Sequence, residues 1–126
     1  MTAALRFDAD KPRYDLLPPE ALDELALHYA KGAKKYAERN WELGMDWGRC
    51  FASLMRHAWK WMRGEEIDEE TGTHHMISVA WNAIAIYTYW KRGIGKDDRP
   101  KITKSDSQKS TLTPFTVESE RKWETA

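Results

Sequence analysis

The sequence has little cysteine, no net charge and no long apolar run. Cys50 is the single cysteine among 126 residues, which excludes an intramolecular disulfide and a cysteine-based zinc or iron–sulfur site and favours a cytoplasmic location. The 20 basic residues balance 20 acidic ones, so a role in neutralising nucleic acid or an anionic membrane is not indicated. No segment has the pattern of a transmembrane helix or an export signal. We therefore expect neither nucleic acid nor a membrane as a partner.

Tryptophan, in contrast, is abundant. The chain contains seven tryptophans, and each combines a large apolar ring with one N–H donor. This composition predicts a core or a ligand pocket that is walled by aromatic rings. Phosphate-binding glycine loops, dinucleotide fingerprints, nucleophile elbows and paired-histidine zinc motifs are absent, which disfavours the common nucleotide-binding folds.

Three segments show the apolar spacing of amphipathic helices, and they follow an extended arm at 1–18. Pro18 and Pro19 suit a helix start, Asp46 is a predicted N-cap, and Thr71 or Thr73 can cap the last helix. The predicted helices are 19–40, 47–64 and 74–92. The fold class is therefore all-α: a small helical bundle whose second and third helices form a hairpin about a turn at 65–72.

The composition changes after the third helix. Residues 93–126 are rich in Lys, Ser and Thr and show no period, which predicts a flexible tail after the helical domain at 19–92. The third helix is apolar on more sides than the other two can cover. We therefore expect a homo-oligomer to complete the bundle.

Polar residues occur where a simple bundle would use leucine. His57 shares a strip of the second helix with Cys50, and it is either a satisfied core histidine or a site residue. His75, Ser78 and Asn82 follow one face of the third helix. An antiparallel hairpin brings His57 near Asn82, so these stripes are expected to form a groove.

The segment between these helices is strongly acidic. It carries five carboxylates in six residues, and the alternatives are a solvated turn or a site for a divalent cation. Oxygen ligands with at most one imidazole suit Mg²⁺ or Mn²⁺. Basic and aromatic residues at the end of the first helix are either an ordinary helix end or a nucleotide site, in which cations hold phosphate and rings stack on a base.

Four separated blocks of this sequence resemble one protein family. They are Lys-Pro-Arg-Tyr-Asp-Leu-Leu-Pro-Pro-Glu-Ala-Leu (11–22), Gly-Ala-Lys-Lys-Tyr-x-x-x-Asn-Trp (32–41), Arg-His-x-x-x-Trp-x-x-Gly-Glu-x-x-Asp-x-Glu-x-Gly (56–72) and His-x-x-x-x-x-x-Asn (75–82). They resemble the phage and prophage family named for a dATP/dGTP diphosphohydrolase N-terminal domain. The resemblance implies an all-α, MazG-like enzyme that splits a nucleoside triphosphate into monophosphate and pyrophosphate with a divalent metal.

The sequence departs from the MazG-like pattern in two places. Glu65-Glu66-x-x-Glu69 fits the first half of that pattern, but the third helix has His75, Ser78 and Asn82 in place of the second half, Glu-x-x-Asp. Proteins similar to this one often have a second histidine at the position of Ser78. The expected metal site is therefore not the usual four-carboxylate cage.

Our favoured interpretation is a metal-dependent pyrophosphohydrolase that acts on a purine (deoxy)nucleoside triphosphate. The alternative is a phage-type nucleotide sponge that binds a nucleotide signal without turnover. The candidate residues are His57 and His75 for catalysis or as supplementary ligands, Glu65, Glu66, Asp68 and Glu69 for Mg or Mn, Lys35, Arg56 and Arg13 for phosphate, and Tyr36, Asn40, Trp41 and Asn82 for the nucleoside.

Overall fold

The structure is a computed structural model that describes residues 2–101. Within these residues the α-helices are α1 (Pro19–Lys35), α2 (Trp47–Met62) and α3 (His75–Arg92), with short 3-10 turns at Tyr14–Leu16 and Asn40–Leu43. The same residues contain isolated β-bridges but no named strand, so the predicted all-α class is confirmed. No helix in this part of the chain is long and apolar enough to cross a membrane.

α1 begins where the sequence predicts and ends earlier. Pro19 lies in the first turn, where its missing N–H leaves no helical hydrogen bond unmade. The predicted end at residue 40 is wrong because the helix stops at Lys35 and Arg39 adopts a left-handed backbone with φ 58°. An α-helix cannot continue through that conformation. The chain instead passes into the turn at Asn40–Leu43.

α2 and α3 pair as an antiparallel hairpin, but not in the predicted register. Asn82 contacts Ser53 of α2, and His57 contacts His75 rather than Asn82. The predicted pairing assumed a symmetric turn at 65–72. The connection is instead a longer loop over 63–74, and the α3 partner of His57 lies about two turns nearer the start of that helix than predicted.

The loop 63–74 is closed by backbone hydrogen bonds at its base. Ile67 and His74 form an antiparallel bridge, Asp68 N donates to Thr73 O at 2.9 Å, and His75 N donates to Glu66 O at 2.9 Å. The cap of α3 is His74, whose Nδ1 accepts from the Met76 N–H, so neither predicted threonine cap is present. This closed loop holds Asp68 at the start of α3.

A small buried core joins the turn at Asn40–Leu43 to the hairpin. Cys50, Ala85 and Tyr89 are buried, and the Trp41 and Trp81 rings pack around them. Tyr89 OH donates to Trp41 O at 2.6 Å, and burial raises the pKa of this phenol to about 12. The predicted aromatic wall is therefore present, and it fixes the turn that carries Trp41.

The first residues of the predicted tail lie against the start of α2. Trp47 N donates to Lys96 O at 2.9 Å, and Gly48 N donates to Asp98 Oδ1 at 2.7 Å. Asp98 thus provides the side-chain cap that the sequence assigned to Asp46, whose side chain makes no cap hydrogen bond. The rest of the predicted flexible tail, 102–126, lies outside the described residues.

Large apolar side chains are exposed on one side of the hairpin, which we call the outer face. It comprises Phe51, Met55 and Trp59 of α2 and Tyr87 and Trp90 of α3, each between 47% and 61% exposed. Their helical spacing places the α2 members opposite the side that carries Ser53 and His57. The predicted stripe of α2 thus includes residues that the other described residues do not cover.

Candidate functional site

A wide cleft of about 1270 Å³ opens between α1, the turn at Asn40–Leu43 and the α2–α3 hairpin. Polar side chains lie on its hairpin side, where Asp68, Ser78 and Asn82 are all buried. Buried polar groups cost free energy unless they are hydrogen-bonded or meet a ligand. This wall of the cleft therefore carries the groups that a polar ligand would meet.

Two histidines and an aspartate meet beside this wall, and we call them the His–Asp–His cluster. His57 Nδ1 lies 2.9 Å from His75 Nδ1, and the ligand atoms of His57, Asp68 and His75 are all within 4.8 Å of one another. His75 comes from the first turn of α3, His57 from the third turn of α2 and Asp68 from the loop between them. Among the described residues, this is the one group of such side chains that could jointly hold a metal ion.

The Asp68 carboxylate is held in its ionised form. Burial alone would raise its pKa, but hydrogen bonds from Glu70 N and Thr71 Oγ1, each 3.2 Å long, lower it, and the charges of His57 and His75 lower it further. The net shift of the Asp68 pKa is downward. A fixed negative charge therefore lies next to the paired imidazoles.

A chain of hydrogen bonds connects Asp68 to α1. Thr71 Oγ1 contacts both Asp68 Oδ2 and Thr73 Oγ1, and Thr73 Oγ1 lies 3.0 Å from His28 Nδ1. An ionised Asp68 can only accept, so Thr71 donates to it, Thr73 donates to Thr71, and His28 Nδ1 must donate to Thr73. His28 therefore carries its proton on Nδ1 and keeps a free lone pair on Nε2.

Burial lowers the pKa of two imidazoles in the cleft and so favours their neutral form. Burial, followed by the charges of His57 and Lys31, lowers the pKa of His28. Burial also has the largest effect on the pKa of His57, which it lowers. The charge of Asp68 opposes this shift and the charge of His75 adds to it, and the net shift is downward. Neutral imidazoles can accept a proton or bind a metal ion.

The polar stripe of α3 continues from the cluster along the cleft. Asn82 Nδ2 donates to Ser78 O at 2.8 Å and to Ser53 Oγ at 3.3 Å. Ser78 is 2% exposed, yet its Oγ has no hydrogen-bond partner among the described residues. Unpartnered buried hydroxyls are uncommon in folded proteins, so a ligand atom is expected next to this one.

Cations line the cleft on the α2 and α1 sides. Arg49 and Arg56 are both exposed and make no ion pair within the described part of the chain. Lys35 also lines the cleft, but its Nζ lies 3.1 Å from a Glu70 carboxylate oxygen, and Lys31 donates to Thr71 O. The two arginines are therefore the cations most available to an anionic ligand.

Comparisons with known proteins identify the group to which this sequence is related. Residues 1–99 match the family described as dATP/dGTP diphosphohydrolase, N-terminal. The chain belongs to this family. It is also 30% identical over 95 residues to a protein named dATP/dGTP diphosphohydrolase from Salmonella phage PMBT28. That match covers 75% of this chain and 32% of the relative, so the chain spans about a third of that protein's length. No solved structure shows a significant match.

The dATP/dGTP diphosphohydrolase N-terminal family was predicted from the four sequence blocks, and that prediction is confirmed. The third block supplies His57 and Asp68, and the fourth supplies His75 and Asn82. The structure places all four residues beside the cleft or in the cluster next to it. The blocks that identify the family thus meet in one place.

The acidic residues predicted to hold metal do not all lie together. Asp68 belongs to the His–Asp–His cluster, and a Glu65 carboxylate oxygen lies 3.7 Å from His75 Nε2. Glu66 pairs with His74 Nε2 at 2.5 Å, and Glu69 is exposed and does not line the cleft. The donor set next to the cleft therefore contains two imidazoles and one carboxylate rather than oxygens alone.

The other predicted ligand-binding residues differ in how accessible they are to a ligand in the cleft. Tyr36, Asn40, Arg56 and Asn82 line the cleft, as does Trp41. The Trp41 ring is half-buried and packs edge-on against Tyr29 and Trp81, so its role in the core limits its exposure to a ligand. Arg13, by contrast, lies outside the cleft and is paired with Asp15 at 2.7 Å.

Sequence reasoning missed several residues of the site. His28 and Arg49 were not among the candidates, although both line the cleft. Arg49, Ser53 and Arg56 follow each other at four- and three-residue steps, a signal of one polar face that was available from the sequence. His28 carried no such signal, because only the packing of α1 against the loop brings it to Thr73.

Proposed function

We propose that this chain binds a purine (deoxy)nucleoside triphosphate in the cleft and hydrolyses the bond between its α- and β-phosphates. The products are a nucleoside monophosphate and pyrophosphate. The proposal is supported by membership of a family whose description names a dATP/dGTP diphosphohydrolase and by the name of the phage relative. The single observation that carries it for this chain is the combination of a largely buried His–Asp–His cluster with arginines around one cleft that form no ion pair within the described residues.

Phosphoryl transfer requires positioning and charge stabilisation rather than a covalent intermediate. Negative charge lies on the phosphoryl oxygens in the transition state, and cations that are already in place lower its energy. Arg49 and Arg56 are suited to contact these oxygens because no carboxylate in the described residues engages them. A planar guanidinium can form two parallel hydrogen bonds to a phosphate.

The cluster residues supply the proton chemistry. A neutral His57 imidazole can accept a proton from the attacking water, and the ionised Asp68 stabilises the resulting positive charge. A divalent ion held by His57, Asp68 and His75 would lower the pKa of a bound water and neutralise phosphate charge. Tyr36 and Asn40 lie at the opposite side of the cleft, where they can contact the base and sugar.

The alternative is a nucleotide-binding protein without turnover. It is favoured by one observation: α3 has no carboxylate at all, whereas the MazG-like pattern places two acidic residues on the corresponding helix. The same arginines and rings would then retain a nucleotide that is never cleaved. This alternative requires no metal ion.

The two functions are distinguished by product analysis. The purified chain is incubated with dATP, dGTP, ATP, GTP and two pyrimidine triphosphates in the presence of Mn²⁺ or Mg²⁺. The proposal expects pyrophosphate and a purine monophosphate, detected by chromatography and by a phosphate assay with and without added pyrophosphatase. Orthophosphate without pyrophosphatase would place the cleavage at the β–γ bond. Tight binding with intact nucleotide recovered would leave the binding protein as the function.

A further inference from the structure

We propose that the His–Asp–His cluster is a site for a first-row transition metal dication such as Co²⁺ or Zn²⁺, with His57 Nδ1, His75 Nδ1 and one Asp68 oxygen as ligands. Its contribution to hydrolysis rests on the function proposed above, but binding of the ion does not. The oxygen-rich Mg²⁺ site that the acidic loop suggested is thereby replaced by a nitrogen-containing one.

The distance between the two histidines fits a shared ion. Two nitrogens that each lie about 2.1 Å from one metal ion are about 3.0 Å apart at an octahedral right angle and about 3.4 Å apart at the tetrahedral angle that Zn²⁺ prefers. The two Nδ1 atoms are 2.9 Å apart and share a hydrogen bond, so an ion that binds between them would displace one proton and need only a small widening of the pair. A carboxylate oxygen of Asp68 lies within 4.8 Å of both nitrogens and is the third ligand atom of the set.

The surroundings of the cluster resemble the outer contacts of metal-binding histidines. The Nε2 of His75 faces a Glu65 carboxylate oxygen at 3.7 Å, which leaves its Nδ1 directed at His57. Metal-binding histidines commonly donate the N–H of their second nitrogen to a carboxylate, and Glu65 lies just beyond hydrogen-bond distance for that role. Asp68 accepts hydrogen bonds from Glu70 N and Thr71 Oγ1, so the loop holds this carboxylate in place before the ion binds.

Ser78 provides an independent indication that a ligand occupies this place. It lies one helical turn after His75 and lines the cleft. Its hydroxyl is fully buried and has no hydrogen-bond partner within the described residues. Three protein ligands leave open positions on the ion, and a water or phosphate oxygen there would satisfy this hydroxyl.

The donor types determine which ions are bound. Imidazole suits Zn, Co, Ni, Cu and Fe, whereas Mg²⁺ requires oxygen ligands in near-octahedral geometry and gives up its waters reluctantly. Two imidazoles among three protein ligands therefore select against Mg²⁺. This preference follows from the ligand atoms, so it does not depend on how abundant each ion is in the cell.

The test measures the ion directly. The chain is stripped with a chelator and titrated with Co²⁺, whose visible absorption reports nitrogen ligation, and Zn²⁺, Mn²⁺ and Mg²⁺ are compared by calorimetry. We expect one Co²⁺ per chain and an affinity for Zn²⁺ at least about 100-fold above that for Mg²⁺. Asp68→Asn and His57→Gln should each weaken Co²⁺ binding at least about 100-fold. Circular dichroism confirms that each variant is folded.

Matched controls come from the same residue types outside the cluster. Asp23→Asn changes an exposed carboxylate of α1, and His74→Asn changes the histidine beside His75 while keeping a residue that can cap α3. Both should bind Co²⁺ like the wild type. The proposal is overturned if the wild type shows no Co²⁺ absorption, if Mg²⁺ binds as tightly as Zn²⁺, or if the controls lose as much affinity as the cluster variants. Because no nucleotide is present, these outcomes are independent of whether pyrophosphate is released.

Discussion

The two sides of the α2–α3 hairpin have opposite character. The cleft side buries polar groups, among them His75, Ser78 and Asn82, whereas the outer face exposes aromatic rings such as Phe51 and Trp90. In a self-sufficient bundle the polar residues would face solvent and the rings would be covered. We propose that each side lacks a different partner, namely a polar ligand on the cleft side and another apolar surface on the outer face.

The largest effect is expected at the charged residue of the cleft side. Asp68→Asn keeps the size of the side chain and removes its charge, so pyrophosphate release should fall at least about 100-fold while the fold remains intact. Glu66→Gln should cost much less, because Glu66 pairs with His74 outside the cluster. Steady-state kinetics of both variants decides the point. Equal losses in the two variants would show that the acidic loop as a whole, and not Asp68 in particular, supplies the catalytic charge.

The outer face is tested by self-association. We propose, as the sequence predicts, that a second copy of the chain covers it, because aromatic rings this exposed favour burial between subunits. Phe51→Glu places a charge among those rings and should convert an oligomer to a monomer in sedimentation velocity. Leu27→Glu, on an exposed position of α1, should leave the oligomer unchanged. A monomeric wild type at micromolar concentration would contradict the proposal.

The cations of the cleft should differ in their effect on phosphate binding. Arg56→Gln removes a guanidinium that no carboxylate in residues 2–101 engages, and it should weaken triphosphate binding about tenfold or more. Lys35→Gln should weaken triphosphate binding less. Lys35 is already paired with Glu70, so only part of its charge interaction is with the phosphates. Calorimetry with a nucleoside should show no loss for either variant. Arg63→Gln, beyond the end of α2 and outside the cleft, is the matched control.

The helices could be predicted from the sequence because local rules determine them. Pro19 begins α1, and the apolar spacing of α2 and α3 gives their existence and nearly their bounds. The end of α1 was missed because the left-handed Arg39 is held by the packing of the Asn40–Leu43 turn, where Tyr89 bonds to Trp41. No local sequence pattern indicates a contact between residues as far apart in the sequence as Trp41 and Tyr89.

The candidate site was predicted only in part, because local patterns identify its residues and long-range contacts arrange them. His57, His75 and Asp68 were identified because they interrupt apolar or turn patterns. Their mutual arrangement was not, since it depends on the bridge between Ile67 and His74 that closes the loop. A change of about two turns in hairpin register exchanged Asn82 for His75 as the partner of His57. Spacing along one helix predicts faces, but loop geometry decides which faces meet.

The smallest expected effect concerns the dependence of stability on pH, and it separates the buried from the exposed histidines. The pKa values of His28 and His57 are lowered from 6.5 in the folded chain, mainly by burial. Below pH 6.5 the unfolded chain therefore binds protons that the native chain resists, so the free energy of unfolding falls as pH drops through that value. Above it, these histidines contribute no such penalty.

Thermal unfolding of the metal-free chain, followed by circular dichroism between about pH 5 and 8, measures this slope. Asp68 titrates below its ordinary value of 3.8 and does not contribute within that range. His57→Gln should flatten the decline below pH 6.5, because it removes one of the groups that the native state keeps neutral. His74→Asn, at a partly exposed position outside the cluster, should preserve it. A midpoint that is constant over the range, or an unchanged slope in His57→Gln, would show that the cleft side does not hold this imidazole neutral.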